Sequence, residues 1–244
     1  MRTQSSENYK LITRNSGQVI IKELSNSDIG DNQSLGYEFI RKLFMEFAKE
    51  SFRYGHNKYE FIMYPHHFSE RQLSSVLTPI LHKLCNGFVM AELPVIRKDS
   101  DNTGWVDYWC IYKNYTIVIE VKHSKDILDT ETIRQNSIVR RWGKMKKQLE
   151  DVYNEIKSFE EKTEGVIRIG LHFISSYSNK EYNEIAALSY RNNIKETLNK
   201  FNKRLKSDYT GCWLIPEESV CRWDGLAFPG VLLLGRILPP VQHK

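Results

Sequence analysis

Residues Asp107 to Lys122 read DYWCIYKNYTIVIEVK, and how this stretch pairs with itself decides the fold. The run Ile117-Val118-Ile119 is strongly β-prone and should lie buried in a sheet. It ends in Glu120-Val121-Lys122. Side chains at i and i+2 of a strand point to the same side. Glu120 and Lys122 therefore share a face at the edge of an apolar sheet. If Lys113-Asn114 is a two-residue turn, Tyr112 pairs with Tyr115, and counting back sets Asp107 directly opposite Glu120. Opposed side chains have Cβ atoms roughly 4.5–5.5 Å apart. Two carboxylates at that separation repel, and burial sharpens the conflict. A divalent cation between them removes it, and hard oxygen ligands with open positions suit Mg²⁺ or Mn²⁺. A lysine on the same face can orient an attacking water and offset the charge on a phosphate. Metal and lysine together are what phosphodiester hydrolysis needs.

Working outward, Phe88–Arg97, Trp105–Tyr112 and Tyr115–Lys122 form a three-strand meander, with Lys98–Gly104 as a loop rich in Asp, Ser and Asn. Before it, Leu35–Ala48 carries Phe39, Ile40, Leu43, Phe44 and Phe47 at helical spacing. A second helix starts at Ser69, which forms a capping box with Gln72. It repeats Leu73, Val76, Leu77, Ile80, Leu81 and Leu84 on one face. Pro79 should kink or split it. After the meander, Ile133–Phe159 is a long helix with an apolar face of Ile138, Trp142, Met145, Leu149, Val152 and Ile156. Val166–Ser175 reads as a buried strand and Asn179–Leu205 as mainly helix. Cys212–Ile215 and Val231–Leu238 read as strands. Residues 1–33 hold two short β-like runs, Tyr9–Thr13 and Val19–Leu24, and form a small hairpin or an extension ahead of one domain over 34–244. The order predicts an α/β domain: a central mixed sheet, with the meander flanked by helices that cover both faces.

The chain has 244 residues, 41% hydrophobic and 27% charged, which suffices for one α/β domain. No run of 18 or more apolar residues exists, so no membrane span is expected. The polar start MRTQSSENYK lacks the apolar core of a signal peptide, which predicts a cytoplasmic protein. The cysteines, Cys85, Cys110, Cys212 and Cys221, form no CxxC pair and sit among apolar neighbours. They read as reduced core thiols, and the glycosylation pattern Asn114-Tyr115-Thr116 is then incidental. A net charge of +5 tolerates a polyanionic partner without demanding one.

The pattern D-x(12)-E-V-K from Asp107 to Lys122 resembles the active-site motif of the PD-(D/E)XK nuclease superfamily, which includes restriction endonucleases and repair, recombination and defence nucleases. The resemblance spans about Ser69–Ser175 and implies a restriction-endonuclease-like fold and a Mg²⁺- or Mn²⁺-dependent nuclease, with DNA as the expected partner. It makes Asp107 and Glu120 metal ligands, the Val121 carbonyl a third, and Lys122 the catalytic lysine. Val106 stands where the motif's proline usually precedes the aspartate. Two other E-x-K triplets occur, Glu155-Ile156-Lys157 and Glu160-Glu161-Lys162. They fall in or beside a helix, where i and i+2 diverge by about 200°, and neither follows a buried β run. The bland alternative is a structural salt bridge between Lys122 and Glu120 or Asp107. In this superfamily a third acid often comes from the first helix. Glu70 fits, on the face of Leu73 and Leu77; Glu92, on the first meander strand, competes with it.

On the helix after the motif, Arg140, Lys144 and Lys147 form one stripe, suited to phosphate contact or simply to solvent. Gln148 with Tyr153 resembles a Q-x-x-x-Y element of some superfamily members, one residue too long. His66, His67, His123 and His172 lack nucleophile-base spacing and read as surface or satisfied core histidines. The rival reading is a catalytically silent nuclease-like domain that binds nucleic acid or a protein partner. A homo-oligomer or a partner subunit is compatible with either.

Overall fold

A computed structural model of the chain describes residues 9–23, 31–56, 63–67, 69–96, 103–127, 135–152, 162–178 and 184–238. The hairpin at its centre turns as the sequence requires. Lys113 and Asn114 both take left-handed backbone, φ 47° and 62°, which suits a two-residue turn whose twist matches the strands. The turn joins β4 (Thr103–Tyr112) to β5 (Tyr115–Ile127) and pairs Tyr112 with Tyr115, down to Tyr108 with Ile119. On the far side of β4 lies β3 (Val89–Ile96), completing the meander.

The meander is only one end of the sheet. Among the described residues nine strands take part, in the order β1-β2-β7-β9-β6-β5-β4-β3, with β8 paired to β9. The remaining strands are β1 (Tyr9–Arg14), β2 (Gly17–Lys22), β6 (Val166–Ser178), β7 (Tyr209–Leu214), β8 (Cys221–Trp223) and β9 (Leu226–Leu238). β5 and β6 run parallel, from Thr116 beside Val166 to Ile127 beside Tyr177, and every other pairing is antiparallel. A sheet centred on a three-strand meander therefore understates the architecture: the long β9 recruits β7 and β8, and β7 recruits the N-terminal hairpin. That hairpin is continuous with the sheet, because β2 pairs with β7 and buries Val19, Ile20 and Ile21.

Among the described residues four α-helices cover the two faces: α1 (Asp31–Gly55), α2 (Glu70–Leu84), α3 (Gln135–Asp151) and α4 (Glu184–Leu205). On one face Phe39, Leu43 and Phe47 of α1 and Leu73 and Leu77 of α2 pack on Ile117, Ile119, Leu171 and Phe173. On the other, Ile138, Trp142 and Met145 of α3 and Ile194, Leu198 and Phe201 of α4 pack on Ile174, Leu232 and Leu234. Sheet positions alternate between these cores, so β5, β6 and β9 are buried nearly throughout. Gly170 lets α3 settle onto β6. A Cβ there would meet the Met145 methyl at 2.6 Å.

Pro79 neither splits nor ends α2, which runs unbroken from Glu70 to Leu84. The carbonyl that Pro79 cannot serve is that of Ser75, and the Tyr54 hydroxyl donates to it at 3.1 Å. Ser69 is the extended N-cap residue, but its hydroxyl bonds the Gln72 side chain instead of a backbone N–H, so the expected capping box is not formed. The apolar face of α3 is buried as read, apart from Ile156, which lies outside the described residues. All four cysteines are free and buried.

Candidate active site where strands β4 and β5 part

The regular ladder between β4 and β5 stops at Tyr108 and Ile119. One step further, Asp107 turns its carboxylate into the ladder: Oδ2 accepts the Val121 N–H at 2.6 Å. The opposite edge of β4 is irregular at the same place. Ala91 pairs with Tyr108 and Leu93 with Val106, while Glu92, between them, holds a left-handed φ of 54°. Residues two apart on a strand normally share a face. Here Tyr108 packs in the core under α1 and α2, whereas Val106 packs in a separate cluster with Leu93, Val95, Trp109 and Val118. The strand thus turns over at Asp107. Left-handed backbone at a glutamate is unfavourable, and it coincides with the residue whose side chain leaves the ladder.

Glu120 and Lys122 sit on β5 with side chains only 1% and 9% exposed. The Lys122 ammonium is the centre of the cluster. It donates to the Val121 carbonyl at 2.7 Å and to Glu70 Oε1 at 3.3 Å, and lies 3.7 Å from Glu120 Oε2 and 3.8 Å from Asp107 Oδ2. Glu70 reaches it from the first turn of α2. Asp107, Glu120, Lys122, Glu70 and the Val121 carbonyl are thus brought together from three elements. Glu92 is exposed and is not among the ammonium's partners.

The salt bridge that formed the bland reading is therefore present, but with an excess of acid. One lysine needs one carboxylate for neutrality, and this one faces three. Converging carboxylates and a peptide carbonyl are the hard oxygen set that suits Mg²⁺ or Mn²⁺. As the side chains stand, the ammonium takes the point of convergence. Among the described residues no three His, Cys, Asp or Glu side chains are poised to hold a metal ion. The donor chemistry fits a hard cation, provided Lys122 yields those oxygens to it.

On α3, Arg140, Lys144 and Lys147 are exposed on the side away from Trp142, Met145 and Leu149, and Gln148 is half-buried. Tyr153 lies outside the described residues. Sequence reading passed over Arg141 because it falls off that stripe. Its guanidinium Nη1 donates to the carbonyl of His123, the residue after Lys122.

His66, His67, His123 and His172 are buried in the core. His123 Nε2 lies 3.0 Å from Ser175 Oγ, and Ser175 donates to the His66 carbonyl at 2.6 Å. With the hydroxyl hydrogen so used, His123 must carry its proton on Nε2 and donate it. His172 Nε2 meets Ser124 Oγ at 2.8 Å, and the Trp142 ring stacks on it. Burial above all drives His66 well below the usual histidine range, His67 and His172 down to about 3, and His123 to about 4. These groups are neutral in the fold at pH 7. In the unfolded chain they titrate near 6.5. Between that pH and about 3–4 the unfolded chain binds more protons, so stability falls as pH falls. Urea unfolding should lose about 1–2 kcal/mol per histidine from pH 7 to pH 5. Substituting Phe for His67, which stacks on Phe228 with ring centroids 4.3 Å apart, should make the dependence shallower. An unchanged profile would contradict a neutral, buried His67.

Compared with protein-family models, curated proteins and solved structures, the chain matches none. Among the described residues no helix is long and apolar enough to cross a membrane.

Proposed function

We propose that this chain is a metal-dependent nuclease with a restriction-endonuclease-like fold, hydrolysing phosphodiester bonds of DNA with Mg²⁺ or Mn²⁺. The observation that carries the reading is the convergence of Glu70, Asp107 and Glu120 on Lys122 at the point where β4 and β5 part. The order helix, meander, helix and strand around it is consistent with the resemblance over about Ser69–Ser175.

In this proposal Asp107, Glu120 and the Val121 carbonyl would hold the cation, and Glu70 would hold a water or a second cation. When bound, the metal polarises the phosphate and lowers the pKa of water. Lys122, on a flexible stem, moves its ammonium from the carboxylates to the phosphate oxygens, where it offsets the charge that develops in the transition state. Asp107 is held by the Val121 N–H and so presents its second oxygen in a fixed direction. Arg140, Lys144 and Lys147 offer a track for the phosphate backbone, with Gln148 beside it.

The test is incubation of the purified chain with plasmid, linear duplex, single-stranded DNA and RNA, each with Mg²⁺, Mn²⁺, Ca²⁺ or EDTA. Cleavage in Mg²⁺ or Mn²⁺ that EDTA abolishes supports the proposal. Salt-sensitive binding without cleavage under any condition would favour the silent scaffold. Glu70 and Glu92 separate in the same assay. Glu70→Gln should lower activity about 10–100-fold, as loss of a supporting group at a metal site does. Glu92→Gln should cost less, and the reverse ranking would remove Glu70 from the site.

A further inference from the structure

We infer that Arg141 forms a phosphate subsite beside Lys122 on β5, binding the nucleic-acid phosphate on which Lys122 acts. The inference rests on the nuclease reading and names a residue which that reading does not require. Its position follows from packing. The next residue, Trp142, is buried and lies against His172 with ring centroids 6.2 Å apart and planes 17° from parallel. His172 is the register neighbour of Lys122 across the parallel β5–β6 pair. Trp142 thus fixes this turn of α3 above the strand that carries Lys122.

Arg141 is held beside that part of β5 by its bond to the His123 carbonyl. One of a guanidinium's five N–H donors is used there, while the residue as a whole remains exposed. A guanidinium anchored by one arm loses less freedom on binding, and its planar fork matches two phosphate oxygens. The acidic cluster also calls for such a group. Three carboxylates lie within 3.8 Å of the Lys122 ammonium, and a second cation beside it would offset their repulsion of a phosphate. Arg141 is bonded one residue beyond Lys122, whereas Arg140 and Lys144 belong to the outer stripe of the helix.

The test uses Arg141→Gln, whose amide can still donate to the His123 carbonyl but carries no charge, together with Arg141→Lys. Fluorescent single-stranded and duplex oligonucleotides are titrated in EDTA over a range of salt, with Glu120→Gln as the parent chain to prevent cutting. In the Arg141→Gln double variant, Kd should rise about tenfold and the slope of log Kd against log salt should fall by about 0.7–0.9, the loss of one phosphate contact. With Glu120 intact, Arg141→Gln should lower kcat about 10²-fold, the effect of removing one transition-state donor. Arg141→Lys should restore the salt slope but only part of kcat. Cleavage by the wild-type chain with Kd, slope and kcat unchanged in Arg141→Gln would overturn the subsite and leave the nuclease reading standing. No binding by the parent and no cleavage by the wild-type chain would overturn both.

Discussion

Lys122→Ala is expected to lose about 3–5 kcal/mol of unfolding free energy in metal-free buffer, the usual cost of removing one partner from a buried ion pair. Glu120 is the reason. Its carboxylate is 1% exposed and lies 3.7 Å from the ammonium, so removing Lys122 takes a close cation away from a buried charge. Glu70 and Asp107, with side chains 38% and 33% exposed, reach water and suffer less. The same substitution opens the point on which the three carboxylates converge. Mn²⁺ should therefore stabilise Lys122→Ala more than it stabilises the wild-type chain, where the ammonium competes for the same oxygens. At a hundredfold excess over Kd the gain is about 2.7 kcal/mol. Urea unfolding of both proteins with and without Mn²⁺ measures it. A loss below about 1 kcal/mol, in the range of surface ion pairs, together with no response to Mn²⁺, would mean that the cluster is neither buried nor a cation site.

The second large effect is on turnover. Glu120→Gln keeps the shape of the side chain and removes its charge, so the fold should persist while cleavage falls about 10²–10³-fold. Burial on β5 makes Gln the informative substitution: Ala would leave a cavity beside Met145 and Gly170, which lie on the same sheet face. A loss in kcat at little-changed KM would mark an interaction made in the transition state, and a change in KM alone would mark simple binding. Full turnover in folded Glu120→Gln would remove Glu120 from the chemistry.

Much of this site is legible in the sequence because local rules act there without interference. The Lys113-Asn114 turn sets the register of the β4–β5 hairpin, and a two-residue periodicity puts Glu120 and Lys122 on one face. Asp107 is harder to read. Counting puts it opposite Glu120, but its carboxylate in fact takes the Val121 N–H, because the strand turns over there. That change coincides with left-handed backbone at Glu92, and no glycine or asparagine marks it. β5 also outruns the Tyr115–Lys122 reading, continuing past His123 through Ser124 and Asp126 to Ile127. Ser124, Lys125 and Asp126 are not β-prone, but the parallel ladder with β6 supplies the backbone bonds that hold them. β8 and the first half of β9 were hidden by Asp224-Gly225 and Pro229-Gly230, which read as breakers. The first pair is a tight turn and the second lies inside the strand, where the Pro229 carbonyl accepts from Ile215. The approach of Glu70 to Lys122 is tertiary, and only the helical face it shares with Leu73 hinted at it.

The most direct measurement is a time course of duplex DNA cleavage by the wild-type chain and by Asp107→Ala, side by side, each in Mg²⁺ and in EDTA. The proposed function predicts cleavage by the wild-type chain in Mg²⁺ alone and none by Asp107→Ala in either buffer, with both proteins folded by circular dichroism. Undiminished Mg²⁺-dependent cleavage by Asp107→Ala would contradict the assignment of this cluster as the active site.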